Sequence, residues 1–215
     1  MGRAIVPRVT SYPLDALVAR AAALADLGPR RLLGIVGPPG AGKSTLAARI
    51  VEAVGPTAVL VSMDGYHLAE AELHRLGRHD RKGAIDTFDA AGYVSLLGRL
   101  AAAGPETVYA PAFHREIEEP VAGSIPVPPE VRLVVTEGNY LLVPDEPWSG
   151  VRLLLDEIWY LDLDEEERLR RLVARHMAYG RSQAEAKARS YGSDQVNAEL
   201  IATTRSRADL VARLI

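Results

Sequence analysis

Residues 37–44 read Gly37-Pro38-Pro39-Gly40-Ala41-Gly42-Lys43-Ser44. They fit the pattern G-x-x-x-x-G-K-[ST], and the spacing has a physical reason. Glycines let successive backbone N–H groups turn toward one point, where phosphate oxygens can be held. A helix starting beside the lysine adds its positive N-terminal end. Lys43 is placed to reach β- and γ-phosphates, the Ser44 hydroxyl to ligate Mg²⁺, and Thr45 to bond the α-phosphate. The flanks match as well. Leu32–Val36 is a short apolar run between Arg31 and Gly37, which reads as a buried parallel strand. Ser44–Val54 reads as a helix stopped by Gly55-Pro56.

Working outward, Leu14–Leu27 has helical spacing of apolar residues and ends at Gly28-Pro29. Further buried strands are expected at 57–63, 131–136 and 157–163, and helices at 88–103 and 164–179. The tail 208–215 reads as a fifth strand. Four alternations of strand and helix argue for a parallel sheet covered on both faces. Residues 120–130 hold four prolines and read as an irregular excursion. The connection 65–130 is too long for a simple crossover and is the expected place for an acceptor-substrate site. We expect a single domain over 1–215, with a helical extension at 1–30, an acceptor-binding insertion at 65–130 and a lid at 164–192.

The 215 residues carry 25 Lys+Arg against 28 Asp+Glu, a formal charge of -3, which argues against a nucleic-acid binder or a polybasic membrane anchor. The absence of cysteine excludes disulfides, thiolate metal sites and a thiol nucleophile. No apolar run reaches membrane-spanning length, and the opening segment reads as neither signal peptide nor transmembrane helix, so the cytoplasm is the expected compartment. Only three of the basic residues are lysines, and one stands at the motif position.

In a parallel α/β sheet, ligands gather at the carboxyl ends of the strands. Asp64 follows the second strand and Glu137 the third, so both should face the phosphate loop. Asp64 is the candidate general base for an acceptor hydroxyl, and Glu137 the candidate Mg²⁺ or substrate ligand; the roles are exchangeable. On the charged helix, Asp164 with Glu167 resembles a capping box. Arg168, Arg171 and Arg175 share one face, where i,i+4 pairs with Asp164 and Glu167 would account for the first two. Arg175 has no acid four residues before it and is the expected catalytic cation, followed by Arg181.

The histidines show no metal-ligand spacing, so no zinc is assigned. Tyr66, His67, Phe88, His114, Arg115, Asn139 and Tyr140, together with Asp64 and Glu137, are the expected acceptor lining, with His114 in the Phe113-His114-Arg115 run singled out.

The segments GPPGAGKST, MDGYH, RKGAIDTFD, APAFHR, VVTEGNYLL and RLVARHMAYGRS together resemble the phosphoribulokinase/uridine kinase/pantothenate kinase group of P-loop kinases, from about Leu32 to the C-terminus. The nearest branch is the nucleoside/nucleotide kinase, or fructose-transport-system kinase-like, proteins. The resemblance implies a three-layer P-loop NTPase fold with a five-stranded parallel sheet, a lid helix and transfer of the ATP γ-phosphate to a small-molecule hydroxyl, with Mg²⁺. It maps Asp64 onto the catalytic carboxylate, Glu137 onto the Walker-B-like carboxylate, and Arg175 and Arg181 onto the lid arginines; a homodimer is a family-level expectation. The chain departs from the pattern at His114, where the nearest branch carries Asp, and at His176, where uridine kinases carry Asp. They also have a longer segment around Phe113. The acceptor therefore stays open among nucleoside-, pantothenate- and sugar-like metabolites. The competing readings are a nucleoside-monophosphate kinase, which would use a basic pocket drawn from Arg78, Arg81, Lys82 and Arg115, and a regulatory ATP-binding module.

Overall fold

The computed structural model describes residues 8–215; residues 1–7 of the expected N-terminal extension lie outside the described residues. The strands are β1 (Val9–Tyr12), β2 (Arg31–Val36), β3 (Ala58–Leu60), β4 (Val108–His114), β5 (Glu119–Val127), β6 (Leu133–Gly138), β7 (Glu157–Asp162) and β8 (Leu210–Leu214). The helices are α1 (Leu14–Ala25), α2 (Lys43–Val54), α3 (Glu70–Arg75), α4 (Ala90–Ala101), α5 (Ser149–Leu154), α6 (Glu165–Ala178), α7 (Gln183–Tyr191) and α8 (Ser193–Thr203). A six-stranded sheet, all parallel, runs β1-β8-β7-β2-β6-β3.

Alternation along β2 explains its unbroken apolar sequence. Leu32 and Val36 join one core layer with Val134, Ile158, Leu97 and Trp148. Leu33 and Ile35 join the opposite layer with Val135, Trp159, Leu17 and Leu46. Successive side chains point to opposite faces, so a strand covered on both faces must be apolar throughout. The N-terminal helix and α2 cover one face; α4, α5 and α8 contribute to the layer on the other. Where β2 starts, Arg30 is buried and donates to the carbonyls of Val131 (3.0 Å), Pro128 (2.7 Å) and Leu100 (3.4 Å), tying the strand to the far layer.

The sheet has six strands rather than five. The extra one, β1, pairs with β8 from Val9↔Val211 to Tyr12↔Leu214. The expected irregular excursion at 120–130 is instead mostly strand: β5 pairs antiparallel with β4 as a two-stranded ribbon. Both strands of such a ribbon are edges, so Pro111, Pro120 and Pro126 fit where a missing N–H costs no ladder bond, and the register shifts between Ala110 and Ala112, around Pro111. The second strand is shorter than expected; it ends at Leu60, and Met63–Tyr66 forms a 3₁₀ turn.

Candidate active site

Register aligns the business ends of the strands. Val36, the last residue of β2, pairs with Gly138 of β6 and with Tyr160 of β7. The loop 37–42 therefore leaves the sheet beside Glu137. It then turns into α2 at Gly42, which has φ 95°. Gly40 (φ +87°) is tighter still: a Cβ there would lie 2.9 Å from the Arg168 carbonyl oxygen. No other residue type fits both that φ and that contact.

Lys43 is buried and folds back over the loop, donating to the carbonyls of Gly37 (2.8 Å) and Pro38 (3.3 Å) and to Asn139 Oδ1 (2.8 Å). Burial pulls its ammonium down to about 8, partly countered by Glu137. A chain of bonds then links the Glu137 carboxylate to the backbone at Asp64. Ser44 Oγ donates to Glu137 Oε1 at 3.2 Å, and Ser62 Oγ donates to the same oxygen at 2.9 Å. Ser62 Oγ in turn accepts the Asp64 backbone N–H at 3.2 Å. Burial, and then the like charge of Asp64, push the Glu137 carboxyl above its ordinary range. A buried carboxylate raised this way, with a serine hydroxyl beside it, offers oxygen donors that a hard divalent cation would complete.

These groups open onto a cavity of about 530 Å³. It brings together Pro39, Gly40, Gly42, Lys43, Ser44, Thr45, Asp64, His67, Arg115, Glu137, Asn139 and Arg175 from the sequence expectations. Gly37, Pro38 and Ala41 belong to the loop but do not line this cavity. Four expected acceptor contacts also lie off it. Tyr66 and Phe88 pack into the core, tilted and edge-on against Tyr93 and Trp148 respectively. Tyr140 is fully buried and donates to the Gly83 carbonyl at 2.7 Å. His114 sits at the end of β4 opposite Glu119. Arg181, just past the lid helix, is exposed and outside the lining.

His67 stacks on Phe88 at 4.0 Å between ring centroids, with Phe113 at 5.0 Å. Burial lowers its imidazole to about 4, so it is neutral at physiological pH. Its Nε2 lies 3.8 Å from Asp64 Oδ1, and Arg115 Nη2 lies 3.8 Å from Asp64 Oδ2. Asp64 thus faces the cavity with an imidazole and a guanidinium on either side.

Of the two ion pairs expected on α6, Glu167–Arg171 forms and Asp164–Arg168 does not. Asp164 caps the helix by accepting the N–H groups of Glu166 and Glu167, and so does not pair with Arg168. Glu167 pairs with both Arg170 and Arg171 instead of closing a capping box; that box is found at Ser182–Glu185. Arg168 is buried behind the loop, bonded to Gln195 and reaching the Pro39 carbonyl. Arg175 lines the cavity and has no carboxylate within 4.0 Å among the described residues.

Lys82, expected in the pocket only under the monophosphate-kinase reading, lines the cavity, as do Phe113, Tyr179, Arg189, Asp194 and Asn197, which are not among the expected site residues. His176 Nε2 meets Asp194 Oδ2 at 2.7 Å, joining α6 to α8 across the cavity. The i,i+3 spacing of Asp194 and Asn197 on a helix was a usable signal; the contacts of α7 and α8 with the 82–83 segment were not, because they join residues more than 100 positions apart. A second cavity of about 270 Å³ lies on the other side of Pro38, lined by Tyr160, Arg168, Gln195, Ala198 and Arg205.

A glycine-turned loop between a buried parallel strand and a helix, with its lysine, serine and an acidic strand end beside it, defines a P-loop nucleotide-binding protein. Comparison with known proteins narrows this. A Schizosaccharomyces pombe protein whose name proposes a uridine kinase is 34% identical over 216 residues, covering 95% of this chain and 91% of that one. The ATP-dependent kinase-like protein notR' of Aspergillus versicolor is 39% identical over 153 residues, 66% of this chain and 88% of that one. The crystal structure of a proposed fructose transport system kinase from Silicibacter sp. TM1040 superposes with a TM-score of 0.83 at 34% identity, covering 94% of this chain and 99% of that one. No family model matches the chain. The chain belongs to the phosphoribulokinase/uridine kinase/pantothenate kinase family of P-loop kinases, and is an ATP-dependent kinase.

Proposed function

We propose that the protein transfers the γ-phosphate of ATP to a hydroxyl group of a small polar metabolite that also carries a negative charge. The observation that carries this reading is the lining of the large cavity, where six lysines and arginines face four carboxylates. The loop, Lys43, Ser44 and Glu137 suit a triphosphate. Asp64, flanked by His67 and Arg115, would form the acceptor end with Lys82 and Arg189. The excess of cationic groups favours an anionic acceptor. Of the basic residues that a monophosphate acceptor would recruit, Lys82 and Arg115 line the cavity, whereas Arg78 and Arg81 pair with Asp86 outside it.

In this reading the loop amides, Lys43 and Thr45 hold the phosphates, and the second cavity beside Pro38 and Arg168 takes the base. Ser44 and Glu137 would hold Mg²⁺, which when bound neutralises charge on the phosphate oxygens. Asp64 accepts the proton of the acceptor hydroxyl and aims its oxygen at the terminal phosphorus; neutral His67 supports it without competing for that proton. Arg175 supplies positive charge from the lid side as charge builds on the phosphoryl oxygens. Little covalent help is required, so positioning dominates.

A coupled ADP-release screen tests this with paired acceptors: nucleosides against nucleoside monophosphates, neutral sugars against sugar phosphates and sugar acids, and pantothenate against its amide. Turnover confined to anionic members is the expected result. Turnover on neutral members alone would remove the anionic-acceptor assignment, and acceptor-independent hydrolysis would favour a regulatory ATPase.

A further inference from the structure

Outside the catalytic cavity, Glu70, His74 and His79 each present a ligand atom within 4.8 Å of the others, the one such group among the described residues. Glu70 and His74 are i,i+4 neighbours on α3, which places them on one face. The chain then reverses at Gly77 (φ +64°), and a 3₁₀ turn brings His79 back over His74, ring on ring at 4.0 Å and 13°. His79 is held from both sides: Nε2 lies 2.8 Å from Glu70 Oε2, and Nδ1 lies 3.5 Å from Asp80 Oδ1. A carboxylate on one imidazole nitrogen is the usual means of aiming the other at a metal.

We propose that Glu70, His74 and His79 form a zinc site, separate from the Mg²⁺-type donors at Ser44 and Glu137. Two imidazoles and a carboxylate are a donor set that zinc takes at about 2.0–2.2 Å, leaving a fourth position for water. Tetrahedral ligand atoms at those bond lengths stand about 3.3 Å apart, so the His79–Glu70 contact opens by a few tenths of an ångström. The two ring planes lie 13° apart, so one ring turns about χ2 for both to converge on the ion. Both histidines are exposed, so the ion enters without unfolding. Lys82 donates to the carboxylate that would ligate the ion. Lys82 also couples the site to function. It bonds the other Glu70 oxygen, donates to the Glu118 carbonyl and lines the catalytic cavity. A zinc ion would therefore sit one side chain away from the acceptor end and compete for the charge that holds Lys82.

The test is calorimetric titration of zinc into the untagged, metal-free full chain in excess Mg²⁺, with Glu137→Gln as the control for binding at the cradle. One zinc per chain, unchanged in Glu137→Gln, is expected. His74→Ala and His79→Ala should each weaken binding about tenfold or more, the double variant should abolish it, and Asp80→Asn should weaken it less. Circular dichroism should show the variants folded, since both histidines are at the surface. No binding to the parent chain, or binding that survives in the double variant, would overturn the assignment.

Discussion

Ser62 Oγ donates to Glu137 Oε1 at 2.9 Å and at the same time accepts the Asp64 backbone N–H at 3.2 Å, so one hydroxyl ties the Glu137 carboxylate to the turn that carries Asp64. Ser62 touches neither the loop nor the acceptor end, and acts through its neighbours. Ser62→Ala should lower kcat/KM about tenfold to a hundredfold, with Ser62→Thr restoring much of it. Steady-state kinetics at varied Mg²⁺ check this: the loss should grow as Mg²⁺ becomes limiting, which a general loosening of the fold would not produce.

Burial outweighs the pull of Glu137 and lowers the Lys43 ammonium to about 8. Phosphates favour its charged form and raise that value on binding. ATP affinity should therefore fall as pH rises through about 8, and calorimetry in buffers of different ionisation enthalpy should show proton uptake above pH 8. Lys43→Met should bind ATP weakly, with no such pH dependence.

The same burial has a cost in stability. A lysine lowered from 10.5 to about 8 in the folded chain destabilises it fully below pH 8, and the penalty disappears as pH rises toward 10.5. Lys43→Met should stabilise the nucleotide-free protein by about 1–3 kcal/mol at neutral pH while abolishing turnover. Urea unfolding at pH 7 and pH 10 measures it; the gap between variant and parent should narrow at the higher pH.

Arginines on one helix face have separate tasks. Arg175→Ala should reduce kcat about a hundredfold to a thousandfold with a smaller change in KM for ATP. Exposed Arg181, outside the cavity, should tolerate alanine. Buried Arg168 should instead report as lost thermal stability, because its removal leaves Gln195 and the Pro39 carbonyl without their donor.

Arg30→Ala tests the architecture rather than the chemistry. It removes the donor to three carbonyls at the base of β2 and should cost about 2–4 kcal/mol by chemical denaturation.

The parts of this molecule that local pattern controls were legible in the sequence. The apolar run of β2, the glycine loop and Glu137 at the end of β6 stand where spacing placed them, because each depends on a few adjacent residues; Asp64 faces the same cavity from a 3₁₀ turn rather than directly from a strand end. Three things were not legible. Strand β1 has three exposed residues of four and exists only because β8, two hundred positions later, supplies its partner. The ribbon β4–β5 was hidden by its prolines, which an edge tolerates and a central strand does not. Part of the cavity wall comes from α7 and α8 packing on the 82–83 segment, so Lys82, Arg189 and Asp194 meet only in three dimensions. Tyr66, Phe88 and Tyr140 looked like lining because they neighbour it in sequence, yet aromatic packing draws them into the core.

The central claim is that Asp64 and the Lys43 loop act on opposite ends of one phosphoryl transfer. The most direct measurement is single-turnover transfer of γ-labelled phosphate from ATP to the acceptor identified by the screen, in the parent chain and in Asp64→Asn. Labelled product from the parent, loss of about a hundredfold or more in the variant, and unchanged binding of ATP to it are expected. Full-rate transfer by Asp64→Asn, or label appearing only as inorganic phosphate from the parent, would contradict the claim.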